Sequence, residues 1–168
     1  MSVMEKPRFT PLVVALEAAC VILLFLTFVY VIAVWPTLPG QLPSHFNFSG
    51  EIDGWSRRSI VWLMPAAGLA IYLITSLSMF FPKYINLPVK VTDENRDRVM
   101  RESLLMLGWL KLLVLALFAT ITFFTVRIAP LPAWLMFIYV GLLTLNLVLY
   151  FARVKIAARP AEDRHEIY

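Results

Sequence analysis

An all-α integral membrane protein with four transmembrane helices is the fold class this sequence predicts, and three observations carry the prediction. Of 168 residues, 60% are hydrophobic and only 15% charged, well under the roughly 25% charged of a soluble domain. The apolar residues gather into four runs, each long enough to cross a hydrocarbon core of about 30 Å as a helix. No water satisfies the backbone at that depth, and the runs lack the dyad alternation of barrel strands, so helices are the viable spans.

The expected spans are residues 12–35, 59–81, 104–126 and 131–152, packed as an antiparallel bundle in a single membrane domain, 1–168. The first follows Lys6 and Arg8, but it is longer than a signal-peptide core and no A-x-A site follows it, so it reads as an uncleaved anchor. Orientation comes from Lys and Arg. Eleven of them fall in the N-terminal segment, the second loop and the tail, against Arg57, Arg58 and Arg127 alone in the first and third loops. Both termini are therefore expected in the cytoplasm. Trp35, Trp55, Trp62 and Trp134 then lie near the outer interface, where indole rings favour the headgroup region.

The outer loop, 36–58, holds the most unusual chemistry. Pro36, Pro39 and Pro43 forbid a continuous helix, His45 to Phe48 alternate polar and apolar like a short strand, and Gly50 and Asp53-Gly54 supply turns. The expectation is an ordered loop with Phe46 and Phe48 turned towards the membrane. His45, Asn47, Glu51, Asp53 and Trp55 are its candidate binding residues. His45 with Glu51 and Asp53 is a weak metal constellation, since no second histidine stands at ligand spacing, and a hydrogen-bonded histidine that orders the loop is the better reading.

Ionisable groups inside spans are costly and point to function. Counting 1.5 Å per residue from the basic end, Glu17 lies about 8 Å deep in the first span and Lys111 about 10 Å deep in the third. Ser76 in the second span and Asn146 in the fourth occupy a similar level, so the four helices are expected to share one polar layer; a Glu17–Lys111 pair is its sharpest form, and Lys111 snorkelling to the interface with Glu17 protonated or solvated is the alternative. The second loop, 82–103, ends in a charged stretch from Asp93 to Glu102 that reads as a solvated helix capped by Thr92 or Asp93. Its pairs are Glu94–Arg98 and Asp97–Arg101, and it extends the third span by about 15 Å. The tail, 153–168, is expected to be cytoplasmic.

Net charge of +4 and a pI near 9.4 do not indicate nucleic acid, because the basic residues flank spans and form no stripe interleaved with aromatics. Cys20, the lone cysteine, permits no internal disulfide and matches no metal or redox spacing. No nucleophile with a base, no two-histidine motif, no phosphate loop and no broken mid-membrane helix is present, so neither catalysis nor a cofactor is expected.

Leu38-Pro39, Pro43, His45-Phe46-Asn47, Gly50 and Asp53-Gly54-Trp55 make a motif of fixed spacing. Asn86-Leu87-Pro88, Thr92-Asp93-Glu94-Asn95 and the run Leu107-Gly108-Trp109-Leu110-Lys111 follow it. Over residues 30–127 the chain resembles short, stand-alone members of a bacterial membrane domain-of-unknown-function family, found at the N-terminus of SdpI-type immunity and signalling proteins. The resemblance implies the bacterial cytoplasmic membrane and a binding or regulatory protein, because SdpI-type proteins give immunity to a secreted peptide toxin and hold a repressor at the membrane. Beside the lipid bilayer, the expected partner is another membrane protein or a peptide ligand. The alternative is an accessory subunit packed into a larger membrane complex, with a metal-dependent enzyme or a transporter in third place.

Overall fold

The computed structural model describes residues 9–80 and 87–160. Lys6, Arg8, Lys83, Asn86, Arg164 and the expected end of the second span at Phe81 lie outside the described residues. Among the described residues, four helices are long and apolar enough to cross a membrane, as a multi-pass membrane protein requires. They are α1 (Pro11–Val34), α2 (Leu63–Phe80), α3 (Arg96–Arg127) and α4 (Ala133–Ala158).

The fold is not purely helical. Between α1 and α2 stands an antiparallel hairpin of β1 (Gln41–Phe46) and β2 (Ile52–Arg57), flanked by 3-10 turns at Trp35–Thr37 and Arg58–Trp62. This corrects the all-α expectation: the strands are longer than the four-residue alternation suggests. Pro43 is accommodated because register shifts occur between Pro43 and His45 and again between His45 and Phe46, and proline is tolerated at strand irregularities where no ladder bond is lost.

Local chemistry sets the helix ends. Thr10 caps α1, its Oγ1 accepting from the Val13 N–H at 3.3 Å, and Pro11 takes the first position, where no N–H is needed. Helix α3 starts at Arg96, three residues later than a Thr92 cap predicts and two later than an Asp93 cap. Thr92 and Asn95 instead form a reciprocal turn in front of it, with Thr92 N–H donating to Asn95 Oδ1 at 2.9 Å and Asn95 N–H to Thr92 Oγ1 at 3.4 Å. The extension of α3 beyond its apolar run shortens accordingly to about 12 Å. Ile128 ends α3 in the left-handed region at φ 50°, with its own N–H and that of Ala129 returning to Thr125 and Phe124 carbonyls, the Schellman arrangement more usual for glycine. Helix α4 begins at Ala133 and runs to Ala158, so the first residues assigned to the tail are helical.

Helix α3 is the common neighbour of the other three. At the basic end, Val13 of α1, Met79 of α2 and Leu104 of α3 share one cluster. At the hairpin end, Val31 of α1, Leu42 of β1 and Val61 share another. A third cluster joins the extension of α3 to the end of α4 through Val99, Tyr150 and Val154. The extension therefore packs on a neighbour along one face and is not solvated all round. There Asn95 Nδ2 donates to Ala158 O at 3.1 Å and Arg98 Nε to Ala157 O at 3.3 Å. A cation and an amide thus meet carbonyls at the negative end of the α4 dipole. Glu94 pairs with Arg98 at 4.0 Å as spacing predicts, while Arg101 takes Glu102, at 3.5 Å.

Candidate functional site

Two sets of polar residues stand out, one in the hairpin and one among the helices. In the hairpin, His45, Asn47, Gly50, Asp53 and Gly54 each have a structural task. Asn47 closes the tip: its N–H donates to Glu51 O at 2.9 Å, and its Oδ1 accepts from the N–H groups of Ser49 and Glu51 at 2.9 and 3.0 Å. This is the side-chain mimicry of a turn for which asparagine is favoured. Gly50, with φ 80°, is buried against the α3–α4 connection, and its carbonyl accepts from Leu131 N–H at 2.8 Å. A Cβ on Gly50 would stand 1.6 Å from Leu131 O. His45 lies opposite Gly54, where a Cβ would come within 2.9 Å of its own, and His45 Nδ1 meets Asp53 Oδ1 at 2.5 Å.

The structure thus joins His45 with Asp53 and, separately, Asn47 with Glu51, the latter through Nδ2 to Oε2 at 3.4 Å. It does not gather His45, Glu51 and Asp53 as one ligand set, and among the described residues no group of three His, Cys, Asp or Glu is placed to hold a metal. Phe46 is half-buried against the bundle, whereas Phe48 sits in the tip after the alternation has ended, fully exposed, and Trp55 is half-exposed on β2. Under β1 lies a cavity of about 200 Å³ walled by Phe46, Met64, Ile121, Leu131 and Met136, with Thr122 and Thr125 on its α3 side. Arg58 closes the flank of the hairpin, its guanidinium 4.7 Å from the Trp35 ring centre, and Trp35 packs on Trp62.

Among the helices, Lys111 of α3 is completely buried, and its Nζ donates to the Glu17 carboxylate of α1, to Ser76 Oγ of α2 at 3.0 Å and to Met79 Sδ at 3.2 Å. Ser76 in turn donates to Glu17 Oε2 at 3.3 Å. All three ammonium donors are used, as a buried lysine requires. The Tyr72 ring, centred 5.2 Å away, adds its negative face. Gly108, one turn from Lys111, lets α1 close in, since a Cβ there would touch Leu16 at 3.0 Å. Three helices build this cluster, not four. Asn146 bonds through Nδ2 to Met106 O on α3 instead, and Thr75 and Ser78 bond to carbonyls of their own helix. Tyr72 and Met79 did not figure in the expected layer, yet both stand a helical turn from Ser76, the spacing that places them on its face.

A family model described as a domain of unknown function, DUF1648, matches residues 22–69. The match runs from the middle of α1 through the hairpin into the first turns of α2, under a third of the chain. It covers the hairpin motif, whereas Glu17 and Lys111 lie outside it. No curated protein and no solved structure matches the chain.

Proposed function

We propose that the chain is a multi-pass binding protein of a bacterial cytoplasmic membrane, with both termini in the cytoplasm, an antiparallel bundle as its platform and the hairpin as an outward-facing recognition element. The observation that carries this reading is the rigid presentation of Phe48. Turn bonds from Asn47 and the Gly50–Leu131 contact hold the tip in place on both sides, while the Phe48 ring touches nothing. A preorganised element loses little entropy on binding, and an exposed aromatic at its apex is the residue type that anchors interfaces. Asp53 and Glu51 flank the tip with negative charge, and the SdpI-type resemblance favours a peptide as the partner.

Phe48→Ser tests it. The variant keeps its melting temperature, because no packing is lost, yet loses association with the partner, measured by cross-linking from a photoreactive residue at Ser49 in intact cells. Unchanged cross-linking in the Phe48 variant overturns the hairpin as a recognition element. An accessory subunit is the second reading, favoured by α4: only 6% of its apolar window is buried, against 22% for α3. In that case cross-links arise from α4 positions such as Val148 and persist in the Phe48 variant.

A further inference from the structure

Between the N-terminal half of α3 and the C-terminal half of α4 runs a groove of about 410 Å³. Its walls are apolar, with Leu105, Trp109 and Leu113 facing Leu142, Leu145 and Leu149, and its charged end carries Glu102 and Arg153. The polar groups along the walls are already engaged: Asn146 with Met106 O, and the Tyr150 hydroxyl with Ser103 Oγ at 3.2 Å.

Length narrows the choice of occupant. From Glu102 to Leu113, and from Arg153 back to Leu142, each helix rises about 16 Å. That is half of a hydrocarbon core of about 30 Å, the depth of one leaflet. The charged end coincides with the limit of the apolar runs, which begin at Leu104 on α3 and stop at Ala152 on α4. A transmembrane helix of a partner would need a track twice as long. A polar, water-soluble ligand finds few free donors or acceptors along so deep a leucine wall. One acyl chain of one leaflet fits.

Charge narrows it further. The mouth presents a cation, Arg153, and an anion, Glu102, which already pairs through Oε1 with the half-exposed Arg101 at 3.5 Å and, as a carboxylate, has acceptor sites for a second cationic donor. The geometry points to a phospholipid whose headgroup carries both a phosphate and a primary amine, held with its chain between α3 and α4, its phosphate at Arg153 and its ammonium at Glu102. A glycerol headgroup offers Glu102 no cation, and a choline headgroup offers no N–H donor.

The test uses the full chain, released from detergent in native mass spectrometry after incubation with equal amounts of dioleoyl phosphatidylethanolamine, phosphatidylcholine and phosphatidylglycerol. One lipid is retained per chain, with the ethanolamine lipid favoured about fivefold, the size expected of one interfacial ion pair. Glu102→Gln erases the preference without erasing retention, and Arg153→Met lowers retention of all three lipids. Leu145→Trp fills the groove and abolishes retention, whereas Leu147→Trp, outside the groove, does not. Thermal unfolding is recorded for each variant, and Leu149→Phe replaces Leu145→Trp if the latter fails to fold. Retention indifferent to headgroup, a preference for the glycerol lipid, or retention that survives filling of the groove overturns the proposal. So does a second copy of the chain, in place of lipid, that Leu145→Trp removes.

Discussion

At Gly50 the backbone stands at φ 80°, and the space a Cβ would need is taken by a carbonyl of the α3–α4 connection. Gly50→Ala therefore meets two penalties, the left-handed backbone and the collision, and is expected to cost about 2–4 kcal/mol and to free the hairpin tip. Hydrogen exchange at Ser49 and Glu51 would rise with the loss of melting temperature, and an unchanged tip would refute the docked geometry. Lys111→Met leaves the Glu17 carboxylate, only 24% exposed, without its cation, at a cost of about 3 kcal/mol. Adding Glu17→Gln returns part of that cost, so the double mutant is less destabilised than the sum of the single changes, by about 1 kcal/mol or more. Strict additivity in thermal unfolding would show the pair to be energetically separate. The regular rise of a helix is enough to bring Glu17, Ser76 and Lys111 to one level from sequence alone. It misplaces Asn146, because rise along a helix fixes depth and says nothing of the direction in which a side chain leaves the axis.

The extension of α3 and the end of α4 form a latch, in which an asparagine and an arginine from one helix meet the final carbonyls of the other. Asn95→Ala removes the Thr92 turn and the bond to Ala158 together, and a loss of about 1–2 kcal/mol is expected, with faster exchange confined to the last turn of α4 and the first of α3. Exchange that rises evenly along both helices would show that the contact is not local. Much of this element is legible in sequence: the charged stretch is recognisable as a helix, and the Glu94–Arg98 pair stands as spacing requires. Its docking is not, because Val99 and Met100 among charges are too short an apolar signal, and the face that buries Val99 depends on where α4 ends. The hairpin shows the opposite bias. Three prolines argue for an irregular loop, and only the cross-strand register, which no local pattern encodes, reveals that Pro43 sits opposite Trp55 within a ladder.

For the molecule as a whole, the distribution of Lys and Arg makes a prediction that the packing does not. In a Cys20→Ser background, single cysteines at Ser49 and at Asp93, both exposed, should differ in whole cells: an impermeant thiol reagent reaches the first and not the second. Labelling of Asp93→Cys alone would reverse the orientation. The four spans are readable from apolar run length because the bilayer demands it everywhere along the chain, whereas the neighbours of each helix are not, since all four faces look alike in composition. The bond between Gly50 and Leu131 links parts of the chain about eighty residues apart. Ribosomes add roughly 5–20 residues per second, so the tip waits on the order of several seconds after its own synthesis before its dock exists. During that interval the base of the hairpin can already pack on Val31 and Val61, while its tip lacks the contact that the α3–α4 connection later supplies. A fixed tip thus exists only in chains that have passed Leu131, so the recognition proposed for the hairpin would follow assembly of the bundle and not precede it.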